Sequence, residues 1–289
     1  MGELTNLILG DLTPRARVLT ALAPAMLVSA YFILGYGAYN LRCWLKGPPK
    51  QFETDARGRT AFIGTHLRLY FFWMVNPLWR LLLASGLSAN AVTGLAAASG
   101  LGAALAAGAG RFGLAGWLFI LSGIFDVMDG RLARAHNQVS PAGAAIDSIL
   151  DRYTDSLMLI GLGFYYRNQG WVLLAVMMAL MGTSVVSYVR AKSEALGFPV
   201  RGGNMQRAER IMYLGGTVAL APIFEAVMFP HDRRPMHWFA VAGIVFLCVT
   251  SNSTAVTRFV SLVRAIKAAH AQGTDPGLRK RQSSKEQAA

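Results

Sequence analysis

Long apolar runs separated by short basic segments set the plan of this chain. A spanning helix needs about 20 predominantly apolar residues. Runs near that length cover 90–109, 112–128, 142–166, 171–190, 210–230 and 237–258. A further run over 18–38 precedes them; it either spans or lies in the interface, since Arg15 and Arg17 stand before it. The pattern predicts an all-α fold, a polytopic membrane bundle with six core transmembrane helices. Gly94, Ala98, Gly102 and Ala106 recur every four residues, a spacing that lets helices approach closely. No strand pattern flanks these glycines, so they do not form a dinucleotide-binding loop.

Segment 67–84 has a different pattern. Arg68, Asn76 and Arg80 fall within one arc of a helix, and Trp73 and Trp79 suit the headgroup level. It reads as an amphipathic helix lying along the cytoplasmic surface, because two arginines and Pro77 disfavour a span. Residues 44–65 read as a polar surface linker, and the chain from Gln272 has the composition of a disordered tail. The organisation is therefore an N-terminal extension over 1–65, a membrane domain over 66–265 and a basic tail over 266–289.

Composition supports the membrane assignment. Hydrophobic residues make up 54% and charged residues 15%, whereas soluble domains sit near 25% charged. The net charge of +13, on so apolar a chain, points to a lipid bilayer and not to nucleic acid. Cys43 and Cys248 stand alone and build neither a disulfide framework nor a zinc site. Glu3 and Asp11 precede the first apolar run and no cleavage site follows it, unlike a secretory signal. Basic residues concentrate in 41–89, 129–141, 190–210 and the tail, while the alternate loops hold Arg111, Arg167, Arg233 and Arg234. That bias places both ends of the six-span unit in the cytoplasm. If 18–38 spans, the extreme N-terminus lies outside.

Five of the 15 acids fall between 126 and 155: Asp126, Asp129, Asp147, Asp151 and Asp155. Asp126 and Asp129 share one helix face, and Asp147, Asp151 and Asp155, spaced by four, share another. The connecting loop is short enough to make the two helices antiparallel neighbours, so the carboxylates meet near the cytoplasmic interface. Converging carboxylates at a span end are costly unless neutralised. An all-oxygen cluster without His or Cys suits Mg²⁺ or Mn²⁺. The alternative is pairing with Arg131, Arg134 and Arg152. A cation transporter is the competing non-enzymatic class, but it would place acids near mid-span on several helices. His136 is a lone loop histidine, and no Ser-His-Asp, Cys-His or P-loop arrangement is present.

The same stretch reads Asp126-x2-Asp129-Gly130-x2-Ala133-Arg134-x8-Gly143-x3-Asp147-x3-Asp151. It resembles the signature of the CDP-alcohol phosphotransferases, with all eight residue types at the family's spacing. The likeness runs from near 67 to near 258. Gly86 to Thr93 also resembles the family's entry into its first span, with Ser88-Ala89 in place of the usual Thr-Pro. Residues 1–65 have no counterpart in it.

The resemblance implies that Asp126, Asp129, Asp147 and Asp151 hold two divalent ions, Mg²⁺ or Mn²⁺. It implies that Asp151 is the general base, that an acceptor hydroxyl attacks the β-phosphorus of CDP-diacylglycerol, and that CMP leaves. Asn90, Thr93, Asp129, Gly130, Ala133, Arg134 and Gly143 are the expected CDP-binding residues. Gly130 and Gly143 would let the nucleotide approach the backbone, although Gly143 could equally serve helix packing. Asp155 lies outside the signature and is expected to be structural. Family members form homodimers, so a homodimer is expected, in a bacterial inner membrane with the site facing the cytoplasm.

Ser187-Tyr188-Val189-Arg190-Ala191-Lys192-Ser193-Glu194, followed by Glu209-Arg210, is similar to the run in bacterial phosphatidylinositol-phosphate synthases. Arg190, Lys192, Arg207, Arg210 and Arg258 then become an anion site for a phosphorylated alcohol acceptor. Inositol 1-phosphate is the favoured acceptor and glycerol 3-phosphate the alternative. Simple positive-inside bias would also account for any one of these cations.

Overall fold

The computed structural model describes residues 14–47, 65–136, 140–198, 207–229 and 236–272. Most of the 44–65 linker and the tail beyond Gln272 lie outside the described residues, as do Lys50, Arg57, Arg59, Arg201, Arg233, Arg234 and the Arg68 side chain. Eight helices make up the described chain: α1 (Pro14–Lys46), α2 (Thr65–Ala84), α3 (Ala89–Gly108), α4 (Phe112–Ala135), α5 (Pro141–Tyr165), α6 (Gly170–Ala195), α7 (Arg207–Met228) and α8 (Trp238–Ala271). No strand occurs among the described residues.

Six of these helices are long and apolar enough to cross a membrane: α1 from Ala21, α3, α4, α6, α7 and α8. The set differs from the sequence expectation at two places. The N-terminal run is a 33-residue helix, extending past Ala38 to Lys46. Helix α5 has 25 residues, but Asp147, Asp151, Arg152 and Asp155 interrupt it as far as position 155, and its uninterrupted apolar stretch is the part that follows. Helix α2 is not among the six.

Caps and turns follow local chemistry. Ser88 caps α3 by accepting from the Ala91 N–H. Ser140 caps α5 by accepting from the Gly143 N–H at 3.0 Å, with Pro141 in the first turn. Gly110, at φ 74°, makes the turn from α3 to α4, a conformation that costs a side-chain-bearing residue.

Helix α3 packs against both α4 and α5. Helix α4 packs on α7, α6 on α8, α7 on α8, and α1 on α7 and α4. Contrary to the antiparallel-neighbour expectation, α4 and α5 each pack on α3 and not extensively on one another. Small residues explain this. A Cβ at Gly161 of α5 would strike the Ala104 carbonyl of α3, so these helices meet backbone to backbone. Phe112, Phe119, Met158, Leu162, Leu214, Ile244 and Leu247 fill the main core. Large apolar side chains such as Leu27, Ile33, Leu105, Leu174, Val227 and Val249 face outward, as lipid contact requires and as soluble folds avoid.

Candidate active site

Helices α4 and α5 present their acids at one end of the bundle. Asp126 and Asp129 lie in the last turns of α4, and Asp147, Asp151 and Asp155 lie on successive turns of α5. One carboxylate oxygen each from Asp126, Asp129 and Asp147 lie within 4.8 Å of one another. Asp129 is 4% exposed and the other two are half-buried. The Thr93 hydroxyl lies 2.7 Å from Asp129 Oδ2 and 3.0 Å from the Ala89 carbonyl; its single proton serves one of them at a time. Below the acids, Ser122 donates to the Ala96 carbonyl at 2.8 Å, and the Thr154 methyl fills the space beside Gly100. This polar floor joins α3, α4 and α5.

The acids find their cations on α7. Arg207 Nη1 pairs with Asp126 Oδ2 and lies 2.8 Å from Asp151 Oδ1, while its Nε stands 3.4 Å from Asp155 Oδ1. Arg210 Nη2 lies 2.8 Å from Asp155 Oδ2. Of the other cations near the acids, Arg152 donates to Ser148 on its own helix, and the Arg131 guanidinium sits over the Trp79 ring at 5.0 Å.

The remaining residues divide. Gly130 and Gly143 sit at the acid end. A Cβ on Gly130 would meet the Arg134 side chain at 3.7 Å, and one on Gly143 would meet the capping Ser140 Oγ at 3.1 Å, with no second helix within 4 Å of either among the described residues. Close approach of a ligand to the backbone is therefore open at both. Asn90 and Arg134 are exposed at the same end. Ala133 packs toward the apolar cluster that Val75 and Leu82 of α2 share with Val92, Met128 and Leu132. Arg190 bonds Glu194 at 3.0 Å, and Lys192 is exposed beside it. Arg258 reaches the Val186 carbonyl at 3.4 Å and lies within electrostatic reach of Arg190 and Arg210.

Sequence inspection missed two of these links. Thr93 was visible as a nucleotide contact but not as a partner of Asp129. Arg207 and Arg210 were visible as cations but not as partners of the acids; their three-residue spacing, matching one turn of a helix, was the available signal.

The donor set fits hard divalent ions. Its oxygens converge, it contains no nitrogen or sulfur, and it already attracts a guanidinium.

Known proteins resemble this chain in sequence and fold. Residues 86–266 match the family model of the CDP-alcohol phosphatidyltransferases. The phosphatidylinositol phosphate synthase of Cutibacterium acnes is 28% identical over 208 residues, covering 69% of this chain and 97% of that protein. The phosphatidylinositol phosphate synthase of Mycobacterium tuberculosis H37Rv is 31% identical over 199 residues, covering 66% and 89%. The crystal structure of the Mycobacterium tuberculosis synthase with CDP-DAG bound superposes with a TM-score of 0.55 at 26% identity, covering 64% of this chain and 92% of that one. The same enzyme in complex with manganese and citrate gives 0.56 at 26% identity, covering 64% and 87%. The match over more than half the length, on a bundle of apolar helices with the acids gathered at one end, makes this chain an integral membrane enzyme of the CDP-alcohol phosphatidyltransferase family.

Proposed function

We propose that this enzyme transfers a phosphatidyl group from CDP-diacylglycerol to inositol 1-phosphate and releases CMP. The observation that carries this reading is the direct contact between the carboxylate cluster and the arginines of α7. It puts a site for cations and a site for an anion side by side, as a phosphorylated acceptor needs. The phosphatidylinositol phosphate synthases among its relatives support the same acceptor.

In this scheme Asp126, Asp129, Asp147 and Asp151 hold two Mg²⁺ or Mn²⁺ ions. Such ions, when bound, neutralise the pyrophosphate and acidify a nearby hydroxyl. Asp151 takes the proton from the acceptor hydroxyl. The hydroxyl oxygen bonds to the β-phosphorus, and the bond from that phosphorus to the bridging oxygen breaks. CMP leaves with the bridging oxygen and its electron pair. Gly130 and Gly143 admit the nucleotide against the backbone, with Asn90, Thr93, Ala133 and Arg134 around it. Arg190, Lys192, Arg210 and Arg258 bind the acceptor phosphate, joined by Arg207. The acid end faces the cytoplasm of a bacterial inner membrane, following the charge bias of the loops, and the enzyme works as a homodimer.

The test offers CDP-diacylglycerol with inositol 1-phosphate, glycerol 3-phosphate, serine and free inositol in turn. CMP release with inositol 1-phosphate is expected. Release with glycerol 3-phosphate alone would reassign the acceptor, and release with serine or free inositol alone would remove the need for an anion site.

A further inference from the structure

Two of the carboxylates assigned above to divalent ions already hold a cation, the guanidinium of Arg207. Its Nη1 bridges Asp126 and Asp151. Its Nε faces Asp155 Oδ1 at 3.4 Å, while Asp155 Oδ2 is taken by Arg210 at 2.8 Å. Asp155 thus holds both arginines, one oxygen to each. It lies one turn beyond Asp151 on α5, about 6 Å along the same face. An arginine side chain can cross that distance by rotating its own bonds, with no movement of α7.

We propose that Arg207 is an exchangeable counter-cation of the metal site. Divalent ions take Asp126 and Asp151 by driving the guanidinium off them, and Asp155 retains it beside the site, where it faces the acceptor phosphate. This rests on the metal-dependent function proposed above. Two observations favour exchange over a permanent ion pair. The contacts fall on carboxylates assigned above to the ions, Asp126 of the three-acid cluster and Asp151 beside it. Asp155, outside the family signature, is positioned to hold the displaced group. The consequence is coupling: metal loading frees a guanidinium for the acceptor, and by linkage the acceptor phosphate favours metal loading. A guanidinium suits this exchange because its donors form a planar fork that engages carboxylates and phosphates alike.

The experiment titrates Mn²⁺ into the full-length protein in detergent, without substrate, by calorimetry. Wild type, Arg207→Gln, Arg207→Lys and Arg210→Gln are compared. Loss of the competing charge-assisted bonds should tighten Mn²⁺ binding about tenfold or more in Arg207→Gln. Arg207→Lys, which keeps a charge but cannot span three carboxylates, should fall between wild type and Arg207→Gln. It carries the test alone if the glutamine variant does not fold. Arg210→Gln removes the same charge without freeing Asp126 or Asp151, so its gain should stay below about threefold. Unchanged or weaker binding in the Arg207 variants would overturn the exchange, as would equal tightening in Arg210→Gln, which would mark a mere field effect. Failure of wild type to bind Mn²⁺ would overturn the metal-dependent function itself, and the exchange with it.

Discussion

Thr93 Oγ1 stands 2.7 Å from Asp129 Oδ2, so helix α3 orients the most buried acid of the cluster. A carboxylate with one oxygen held by a hydroxyl presents the other toward its neighbours. Thr93→Val keeps the shape and removes the donor. The expected outcome is a fall in kcat/KM on the order of 10- to 100-fold, from loss of one hydrogen bond to a charged group. Thr93→Ser should restore most of it. Mn²⁺ affinity separates the two roles open to this residue. Orientation of Asp129 predicts weaker Mn²⁺ binding in Thr93→Val, whereas a pure nucleotide contact predicts a raised KM for CDP-lipid with Mn²⁺ binding intact.

The three-acid cluster of Asp126, Asp129 and Asp147 predicts that no single member is dispensable. Asp126→Asn and Asp147→Asn should each lose CMP release to background while keeping the helical content seen by circular dichroism. Excess chelator should silence the wild type, and Mg²⁺ or Mn²⁺ should restore it. Full turnover in chelator would remove metal ions from the mechanism.

Asp155 connects the two arginines of α7, which gives it a role beyond filling a helix face. Asp155→Asn removes the shared anchor and leaves two cations in a largely buried place. The acceptor KM should rise on the order of tenfold while the CDP-lipid KM holds, and the melting temperature should fall by several degrees. An unchanged acceptor KM with a lowered melting temperature would show Asp155 to be purely structural.

These residues also show where sequence legibility stops. Apolar run length located the helices because a bilayer demands it, and the spacing of Asp126, Asp129, Asp147 and Asp151 located the acid cluster, because helical periodicity puts residues three and four apart on one face. Which helices touch was not legible. The short loop before α5 suggested contact with α4, but packing is decided by small residues such as Gly161, and these place α5 on α3. The partners of the acids were hidden for a related reason. Arg207 lies 81 residues from Asp126, and charge bias alone accounts for a cation at the end of a span. Only the rotation of α7 about its axis decides whether that cation faces lipid headgroups or a carboxylate.

The α3–α5 contact can be tested by adding one methyl group. At Gly161 a Cβ would collide with the Ala104 carbonyl, backbone against backbone, where nothing can yield. At Gly163, two residues on, it would meet the side chains of Val176 and Leu173 at 3.4 and 3.6 Å, which is ordinary contact. Gly161→Ala should therefore cost about 1–3 kcal/mol and Gly163→Ala close to nothing. Thermal melts in detergent read the difference, and because α3 and α5 both carry site residues, Gly161→Ala should also lower turnover. Equal melting temperatures for the two variants would mean the helices do not meet as closely as the structure has them.

The N-terminal helix is the element that the apolar pattern left between two roles, and its contacts favour one of them. Near its start, Ala21 is fully buried against Gly113, and its carbonyl accepts from Trp117 Nε1 at 3.3 Å. Those residues begin α4, at the end opposite Asp126 and Asp129. Midway along it, Tyr31 donates to the Met74 carbonyl at 2.7 Å, and nearer its finish the buried Tyr39 packs on Tyr70 and Trp73 of α2. Helix α2 in turn packs, through Val75 and Leu82, near Met128 and Leu132 at the acid end of α4. From Ala21 to Tyr39 the helix rises about 27 Å at 1.5 Å per residue, close to the roughly 30 Å of the hydrocarbon core. Helix α1 therefore runs parallel to α4 over a length that matches the thickness of the hydrocarbon core. A cysteine placed at exposed Leu19 should react with an impermeant thiol reagent added outside intact cells, while one at exposed Trp44 should react only after lysis. Labelling of both from the same side would return α1 to the interface.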